Sequence, residues 1–454
     1  MSRSARRVDG LVRAVRVLEE VVLNRRGLES ALAGERSGLD VWASGAVHDT
    51  VSGTLRHLHM YTHLLEASAA TVGSTAWTVF ETPQLRLLMA ASMYQLQQTD
   101  STPAVWHRTL LQGCTHLGCS TATQDAAVSV IELATQPGAR KGLSGATSHS
   151  LPPWLHSKLE DSMGAKRLAG FGPLLLQRPA QLHLCVSPEF GSPAEYAAAL
   201  AASTSLPAHA VPFLPHGVTL DSRPRDVGAL PGVSTRQVFV QDAAQQWFIS
   251  QLSPLPPGQT LLDVCAAPGG KSRAALLSLP ADGRVVAVEK SRRKSAALRE
   301  ALAHDPRVRV VCGDGAAPDA WWDASLDGEA AGAIVLDAPC SATGILRTRP
   351  EAKLHQTAEG VAYLCDLQQT LLRALWPKLR PGGELLYVTC SLLSEENERA
   401  VARFLSATPD AEIVKLGDPG RGATVVRSRT GVTFLPSEAH QGGFAAKLRK
   451  RAAV

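Results

Sequence analysis

Two cysteines follow two stretches that have the pattern of buried β-strands. Cys340 comes after a strand-like run that ends Leu-Asp-Ala-Pro, and Cys390 comes after another that ends Tyr-Val-Thr. The interval between them leaves room for one crossover helix, as neighbouring parallel strands require. Free cysteines are ordinarily among the most buried residue types. Two thiols at the ends of neighbouring strands therefore indicate a reactive site more than core packing.

The loop after an earlier strand is rich in glycine. Residues 263–272 read Asp-Val-Cys-Ala-Ala-Pro-Gly-Gly-Lys-Ser, and Gly269 and Gly270 allow a sharp turn close to a ligand. The loop nearly matches the phosphate-binding pattern GxxxxGK[ST], which would indicate a nucleotide triphosphatase. The match fails at its first glycine, where Cys265 stands, and Pro268 lacks an N–H that a phosphate cradle would use.

Three acidic residues also stand at predicted strand ends. Glu289 could accept hydrogen bonds from both ribose hydroxyls of a nucleoside, although a solvated surface charge is the alternative. Asp314 could bind an adenine amino group, and an Asp-Gly turn is its competing explanation. Asp337 precedes Cys340. Taken in order, these strand ends favour a nucleoside-containing cofactor over a triphosphate.

Methylation of carbon 5 of a cytosine needs residues of these types. That carbon is a poor nucleophile until a thiolate adds covalently to C6. After methyl transfer from a sulfonium donor, a second group must help remove the C5 proton and release the thiolate. Asp337 could bind the ring at N3 and at the exocyclic amine and stabilise the developing charge. Spacing alone leaves open which cysteine attacks and which one helps.

The elements around these residues alternate between strands and helices. Strands are predicted at 260–264, 285–288, 308–311, 333–336 and 383–389, with helices at 270–279, 292–304, 359–379 and 394–405. This alternation predicts a doubly wound, mostly parallel α/β sheet, as in class I methyltransferases. Ligands of such sheets bind beyond the carboxyl ends of the strands.

The rest of the chain is predicted to form two further domains. Apolar residues at helical spacing, such as Leu11, Val15 and Leu18, recur through the first third, and Pro83 and Pro103 stand where helices could begin. We expect an all-α domain at 1–148, a small mixed α/β connecting domain at 149–232 and the catalytic domain at 233–454.

Composition narrows the classes of protein further. The chain has 454 residues, 45% hydrophobic and 19% charged, with a formal charge of +5 that permits a nucleic-acid partner without proving one. Eight cysteines without a CxxC pair do not form a disulfide framework or a zinc site, so no metal is expected. The absence of a long apolar run predicts a soluble, cytoplasmic protein without a membrane partner, which we take to be a monomer.

The motifs at 265–271, 337–344 and 389–391 resemble the signatures of the NOL1/NOP2/Sun family of RNA cytosine-5 methyltransferases. Residues 241–245 resemble the segment that opens the family's catalytic domain, and 443–448 resemble its last strand. The helical N-terminal part is similar to that of the bacterial branch that modifies 16S ribosomal RNA, whose N-terminal domain resembles the antitermination factor NusB.

The resemblance implies roles that spacing could not assign. It implies that Cys390 is the nucleophile, that Cys340 assists product release and that S-adenosylmethionine is the cofactor. Asp337 counts as both a catalytic and a cofactor residue. The implied cofactor-binding residues are Cys265, Ala266, Ala267, Pro268, Gly269, Gly270, Lys271, Glu289, Asp314 and Asp337.

The implied substrate is a cytidine in 16S ribosomal RNA. Another RNA such as tRNA, or DNA, is the alternative, and a DNA methyltransferase would use Cys340 as the nucleophile. A triphosphatase is the rival from another class. Candidate phosphate-gripping groups are the basic residues at 292–294, Arg347, Arg349, Lys353 and 447–451, although such clusters are more often solvated faces.

Overall fold

The computed structural model of the protein describes residues 3–35, 38–80, 82–98, 103–420 and 422–452. These residues form two compact units. The helical unit contains the chain up to Arg178 together with Leu346–Gln356, and the sheet unit contains Pro179–Ile345 and the chain from Thr357 onward. The sequence-based division at 148 and 232 stays a prediction about which parts fold independently.

The helices of the N-terminal part belong to the helical unit. They are α1 (Arg3–Val22), α2 (Leu28–Glu35), α3 (Val41–Val72), α4 (Pro83–Gln98), α5 (Pro103–His116), α6 (Thr121–Ala134), α7 (Gly145–Ser148), α8 (Pro153–Met163) and α9 (Ala165–Phe171). Helices α4 and α5 begin at prolines, as predicted, because the first turn makes no use of the missing N–H. The side chain of Asp40 caps α3 by accepting a hydrogen bond from the backbone of Ala43.

The core of the helical unit is formed by the apolar faces of these helices. Leu18 of α1, Leu55 of α3, Leu110 of α5 and Ile131 of α6 are all fully buried in one cluster. Burial of each such side chain contributes about 1.5–3 kcal/mol. None of the helices in the described ranges is both long and apolar enough to cross a lipid bilayer.

The remaining elements lie mostly in the sheet unit. The strands are β1 (Leu182–Val186), β2 (Ala208–Ala210), β3 (Gly217–Leu220), β4 (Val238–Val240), β5 (Thr260–Val264), β6 (Arg284–Glu289), β7 (Val308–Cys312), β8 (Ala331–Asp337), β9 (Leu379–Thr389), β10 (Ala411–Val414), β11 (Val425–Arg427), β12 (Val432–Phe434) and β13 (Gly443–Lys450). The helices are α10 (Pro193–Ser203), α11 (Ala243–Ser250), α12 (Gly270–Leu276), α13 (Arg292–Leu302), α14 (Ala324–Asp327), α15 (Ala352–His355, in the helical unit), α16 (Ala358–Leu375) and α17 (Glu398–Ala407).

The large sheet has the predicted doubly wound architecture. Its strand order is β11-β12-β13-β9-β8-β5-β6-β7, and β10 pairs with β13. The strands from β5 to β9 are parallel to their neighbours, whereas β13 runs antiparallel to β9. Strand β5 is buried along its whole length, as expected of a parallel strand covered on both faces. The prediction of an α/β fold with a mostly parallel sheet is confirmed.

A smaller antiparallel sheet precedes it, with the order β2-β3-β1-β4. Helix α10 packs on this sheet and begins with a capping box, in which Ser192 and Glu195 satisfy each other's backbone N–H groups. This small sheet accounts for the short apolar stretches of the connecting region.

Candidate active site

The two cysteines lie at the same edge of the large sheet. Strands β8 and β9 are parallel neighbours, with Asp337 in register with Val388, so both chains leave the sheet side by side. The backbone N–H of Cys390 lies 3.2 Å from the Sγ atom of Cys340. Both thiols are partly buried. The structure therefore brings together the two residues that the sequence pattern singled out.

Lys271 lies beside this pair. Its Nζ atom is 2.7 Å from Oδ2 of Asp337, and both side chains are mostly buried. Burial lowers the pKa of Lys271, but the charges of Asp337 and Cys390 outweigh burial and hold that pKa above its ordinary value. Lys271 is therefore an ammonium that pairs with Asp337 and interacts electrostatically with Cys390. The sequence assigned it only to the cofactor loop.

A buried carboxylate, which sequence reasoning missed, links the two cysteine loops. Glu396 is fully buried, and its Oε1 accepts hydrogen bonds from the Ser341 backbone at 2.8 Å and from Gln368 Nε2 at 3.2 Å. Its Oε2 lies 2.5 Å from the hydroxyls of Ser341 and Ser391. Ser341 follows Cys340 and Ser391 follows Cys390, so one side chain fixes both loops. Burial raises the pKa of Glu396.

The same loops are also joined through their backbones. The N–H of Gly344 donates to the carbonyl of Cys390, and the carbonyl of Gly344 accepts from Gly442, both at 2.8 Å. A Cβ atom at Gly344 would lie 2.6 Å from the Gly442 backbone, so this approach requires glycine. The Asn397 side chain bonds the Thr389 hydroxyl at 2.6 Å and the Ser391 carbonyl at 2.9 Å.

Four carboxylates converge on the glycine-rich loop after β5. Burial, together with four negative charges, raises the pKa of the Cys265 thiol to about 12. These charges come from Asp337, Glu289, Asp263 and Asp314. The predicted acids at successive strand ends therefore do share one neighbourhood, and Asp263 joins them.

Each acid of this group has a distinct environment. Glu289 is 8% exposed and accepts a hydrogen bond from the backbone of Ser291 at 2.8 Å. Asp314 pairs with Lys290 at 2.7 Å, and this bond lowers the pKa of Asp314. Asp263 is fully buried, and burial raises its pKa to about 7 although the Ser272 hydroxyl donates to it.

Gly269 gives the loop its turn. Its φ of +104° is a conformation that side-chain-bearing residues rarely adopt. Helix α12 begins at the next residue, so the chain passes from strand to helix within a few residues. Across the described residues, no group of three His, Cys, Asp or Glu side chains is arranged to hold a metal ion.

Some predicted RNA-gripping residues are not at the surface. Arg347 is 1% exposed and Lys353 is 3% exposed, and both are packed within the helical unit. Lys447 is also buried and pairs with Glu384 at 3.6 Å. The interpretation of these three cations as phosphate contacts is therefore wrong. Residues 292–294 are exposed on α13 and stay candidates.

Comparison with known proteins identifies the relatives of this chain. The family model described as 16S rRNA methyltransferase RsmB/F matches residues 250–449. A protein of Xylella fastidiosa strain Temecula1, named ribosomal RNA small subunit methyltransferase B, is 34% identical over 452 residues, 96% of this chain and 97% of the relative. The chain belongs to the ribosomal RNA small subunit methyltransferase B family.

Other members of the ribosomal RNA small subunit methyltransferase B family match over shorter ranges. The protein of Xanthomonas campestris pv. campestris is 39% identical over 64% of each chain. That of Vibrio cholerae is 40% identical over 49% of this chain and 48% of its own length. In these alignments the chain spans about half to two-thirds of the relatives' length. Membership of this family argues against the triphosphatase interpretation of the glycine-rich loop.

Solved structures share the fold of the family. The crystal structure of PH0851 covers 99% of this chain with a TM-score of 0.76 at 19% identity. NSun6 from Pyrococcus horikoshii, solved with SFG, covers 66% of this chain with a TM-score of 0.54, also at 19% identity. Similarity at this level of identity establishes the fold alone.

Proposed function

We propose that this chain transfers a methyl group from S-adenosylmethionine to carbon 5 of a cytidine in 16S ribosomal RNA. The observation that carries the proposal is the placement of Cys340 and Cys390 at one sheet edge, with the Lys271–Asp337 ion pair beside them. Family membership supports RNA methylation as the reaction class. The named substrate of the relatives supports small-subunit ribosomal RNA as the target.

The residues around the glycine-rich loop fit the proposed cofactor. Glu289 at the end of β6 presents a carboxylate that suits ribose hydroxyls, and Asp314 after β7 presents one that suits an adenine amino group. The loop 265–271 turns sharply at Gly269, where the backbone has a φ of +104°. When bound, S-adenosylmethionine supplies an electrophilic methyl group on a sulfonium.

Cys390 is the proposed nucleophile, and Cys340 is the proposed helper. Burial, together with Cys390 and Glu396, raises the pKa of Cys340 well above its ordinary value, so Cys340 stays a protonated thiol at neutral pH. A protonated thiol is a poor nucleophile. Lys271 interacts electrostatically with Cys390 and stabilises its thiolate. This contrast supports the order that the family resemblance implies.

The proposed reaction then follows the chemistry of cytosine. The Cys390 thiolate adds to C6, and Asp337 bonds the ring at N3 and the exocyclic amine while electron density moves to C5. C5 takes the methyl group and keeps its proton for the moment. Solvent water takes that proton, the electron pair re-forms the C5–C6 double bond, and the Cys390 thiolate leaves with the assistance of the neighbouring Cys340 thiol.

Recognition of the RNA is proposed to involve both units. A base in folded RNA must be unstacked before it can reach the cysteines. The exposed basic residues 292–294 on α13 are positioned in the same unit as the active site. Phosphate contacts there would weaken with rising salt concentration. The helical unit is the proposed additional docking element.

The experiment that tests the proposed function is base-resolved mapping of ribosomal RNA. Bisulfite sequencing of 16S RNA from cells with and without the protein should reveal a 5-methylcytidine that disappears in the deletion strain and returns on complementation. Complementation with Cys390→Ala serves as the matched negative control. If the deletion strain loses methylation in tRNA instead, the substrate is tRNA and not 16S RNA. An unchanged methylation map in all RNAs would reject the proposed function.

A further inference from the structure

A short segment of the chain leaves the catalytic loop and becomes part of the helical unit. Residues 337–345 carry Asp337 and Cys340, and the next eleven residues, Leu346–Gln356, pack with the helices of the N-terminal part. The chain returns to the sheet unit at Thr357. We call Leu346–Gln356 the strap and 337–345 the catalytic loop.

Lys353 anchors the strap inside the helical unit. Its Nζ donates to the carbonyl of Arg56 at 2.6 Å and to the carbonyl of Ser150 at 2.7 Å. The two partners are backbone oxygens, which carry no full charge. Burying an ammonium against such partners is costly, and burial accordingly lowers the pKa of Lys353 to about 7. A lysine with only a space-filling task would not need this arrangement.

Further hydrogen bonds hold the strap along its length. At one end, Arg56 Nε donates to the carbonyl of Arg347 at 2.8 Å. At the other end, the ring Nε2 of His355 lies 2.7 Å from the carbonyl of Val21 in α1. Leu354 packs against the helical core. The strap is therefore fixed at its start, middle and end.

The catalytic loop is fixed almost up to the point where the strap begins. In the sheet unit, Gly344 is held by backbone hydrogen bonds to Cys390 and Gly442. Only Ile345 separates Gly344 from Leu346, and two residue steps span at most about 7 Å of extended chain. A displacement of the strap therefore cannot be absorbed before it reaches the loop of Cys340.

We infer that the helical unit positions the catalytic loop through the strap, with Lys353 as a positioning residue for methyl transfer. The inference rests on the proposed function for its activity readout. It assigns the helical unit a task beyond RNA docking. It also means that deletion of residues 1–145 would remove Arg56, so loss of activity in that deletion would not distinguish docking from positioning.

Two changes to the full-length protein test the inference. Lys353→Met removes the two hydrogen bonds while the apolar stem is kept. Lys166→Met is the matched control, because it makes the same replacement at an exposed lysine of α9 in the same helical unit. A two-glycine insertion between Ile345 and Leu346 leaves the contacts of both units in place but loosens the connection. The same insertion between the exposed Gly328 and Glu329 is its control.

Single-turnover methyl transfer, S-adenosylmethionine affinity and deuterium exchange of 337–356 are measured for each protein. Lys353→Met and the insertion at 345/346 should each slow transfer about 10- to 100-fold, the range expected of a misplaced catalytic group. Cofactor affinity should stay within about twofold of wild type. Exchange should rise in the catalytic loop for both proteins, and in the strap only for Lys353→Met. Both controls should match wild type.

If the two-glycine insertion between Ile345 and Leu346 leaves the methyl transfer rate at the wild-type value, the inference is overturned. This result holds even if Lys353→Met does not fold. Raised strap exchange in Lys353→Met with an unchanged transfer rate overturns it as well. Failure of the wild-type protein to methylate RNA would instead reject the proposed function. The exchange pattern would still report whether the strap and the catalytic loop are coupled.

Discussion

Removal of the Glu396 carboxylate should destabilise the protein and disable both cysteine loops. In Glu396→Ala, the backbone N–H of Ser341 and the amide of Gln368 lose their acceptor, at distances of 2.8 Å and 3.2 Å in the wild type. A buried donor left without an acceptor costs about 1–3 kcal/mol, so the two together cost about 2–6 kcal/mol. The Ser341 and Ser391 hydroxyls can bond each other and contribute less to the loss.

Glu396→Gln should be milder for a geometric reason. The amide oxygen can keep the place of Oε1, and the amide nitrogen can donate to the two serine hydroxyls if these reverse direction. Only the charge-assisted character of the bonds is then lost, at a cost of about 1–2 kcal/mol. Thermal unfolding should show this order, with a fall of about 2–4 °C for each kcal/mol in a domain of this size.

Asp366→Ala is the control for both variants. Asp366 forms an exposed ion pair with Arg403 in the same unit, and such pairs contribute about 0–1 kcal/mol. Single-turnover methyl transfer should fall in Glu396→Ala and stay at the wild-type level in the control. If the thermal unfolding midpoint of Glu396→Ala equals that of Asp366→Ala, the view that Glu396 links the two loops is refuted.

Three other predictions concern the charged groups of the site. Burial raises the folded-state pKa of Asp263 from 3.8 to about 7, so its stabilising contribution is full below about pH 4 and is lost as pH rises through 7. The free energy of unfolding of Asp263→Asn, measured by chemical denaturation, should therefore depend less on pH than that of the wild type. Parallel curves of unfolding free energy against pH would contradict this. Lys271→Met removes the cation proposed to stabilise the Cys390 thiolate. The methyl transfer rate of this variant should therefore rise more steeply between pH 7 and 9 than the wild-type rate does. A pH profile equal to that of the wild type would show that Lys271 does not stabilise the thiolate. Glu289→Gln should weaken S-adenosylhomocysteine binding about tenfold in calorimetry, because a hydrogen bond to a charged acceptor is about 1–1.5 kcal/mol stronger than one to a neutral acceptor. Wild-type affinity in this variant would remove Glu289 from the cofactor site.

Much of the sheet could be predicted from the sequence, because parallel strands that are buried on both faces consist of consecutive apolar residues. Strand β5 has the predicted bounds. Helix α17 differs, since it begins at Glu398 and not at 394. Residues 391–397 are held instead by buried hydrogen bonds. Asn397 bonds Thr389, and Ser391 bonds Ser341, which lies fifty residues earlier in the chain. Local periodicity carries no information about such tertiary bonds.

The buried charges of the molecule could not be predicted in the same way. Lysine and arginine are almost always exposed, so Arg347 and Lys353 were assigned to an RNA-binding surface. Lys353 donates to the carbonyl groups of Arg56 and Ser150, which lie 297 and 203 residues earlier in the chain. Arg347 donates to the carbonyl group of Gln177, which lies 170 residues earlier. Glu396 escaped notice for a similar reason, since its donors come from three separate segments. The cysteines were found because Cys390 directly follows β9 and Cys340 lies three residues after the end of β8.

Trapping of the covalent intermediate tests the central claim most directly. Purified wild-type protein, Cys340→Ala and Cys390→Ala are incubated with 16S ribosomal RNA and S-adenosylmethionine, and adducts are resolved by denaturing electrophoresis. Cys340→Ala should accumulate a protein–RNA adduct, because attack by Cys390 proceeds while release fails, and Cys390→Ala should form none. An adduct formed by Cys390→Ala and absent from Cys340→Ala would reverse the two roles and contradict the account.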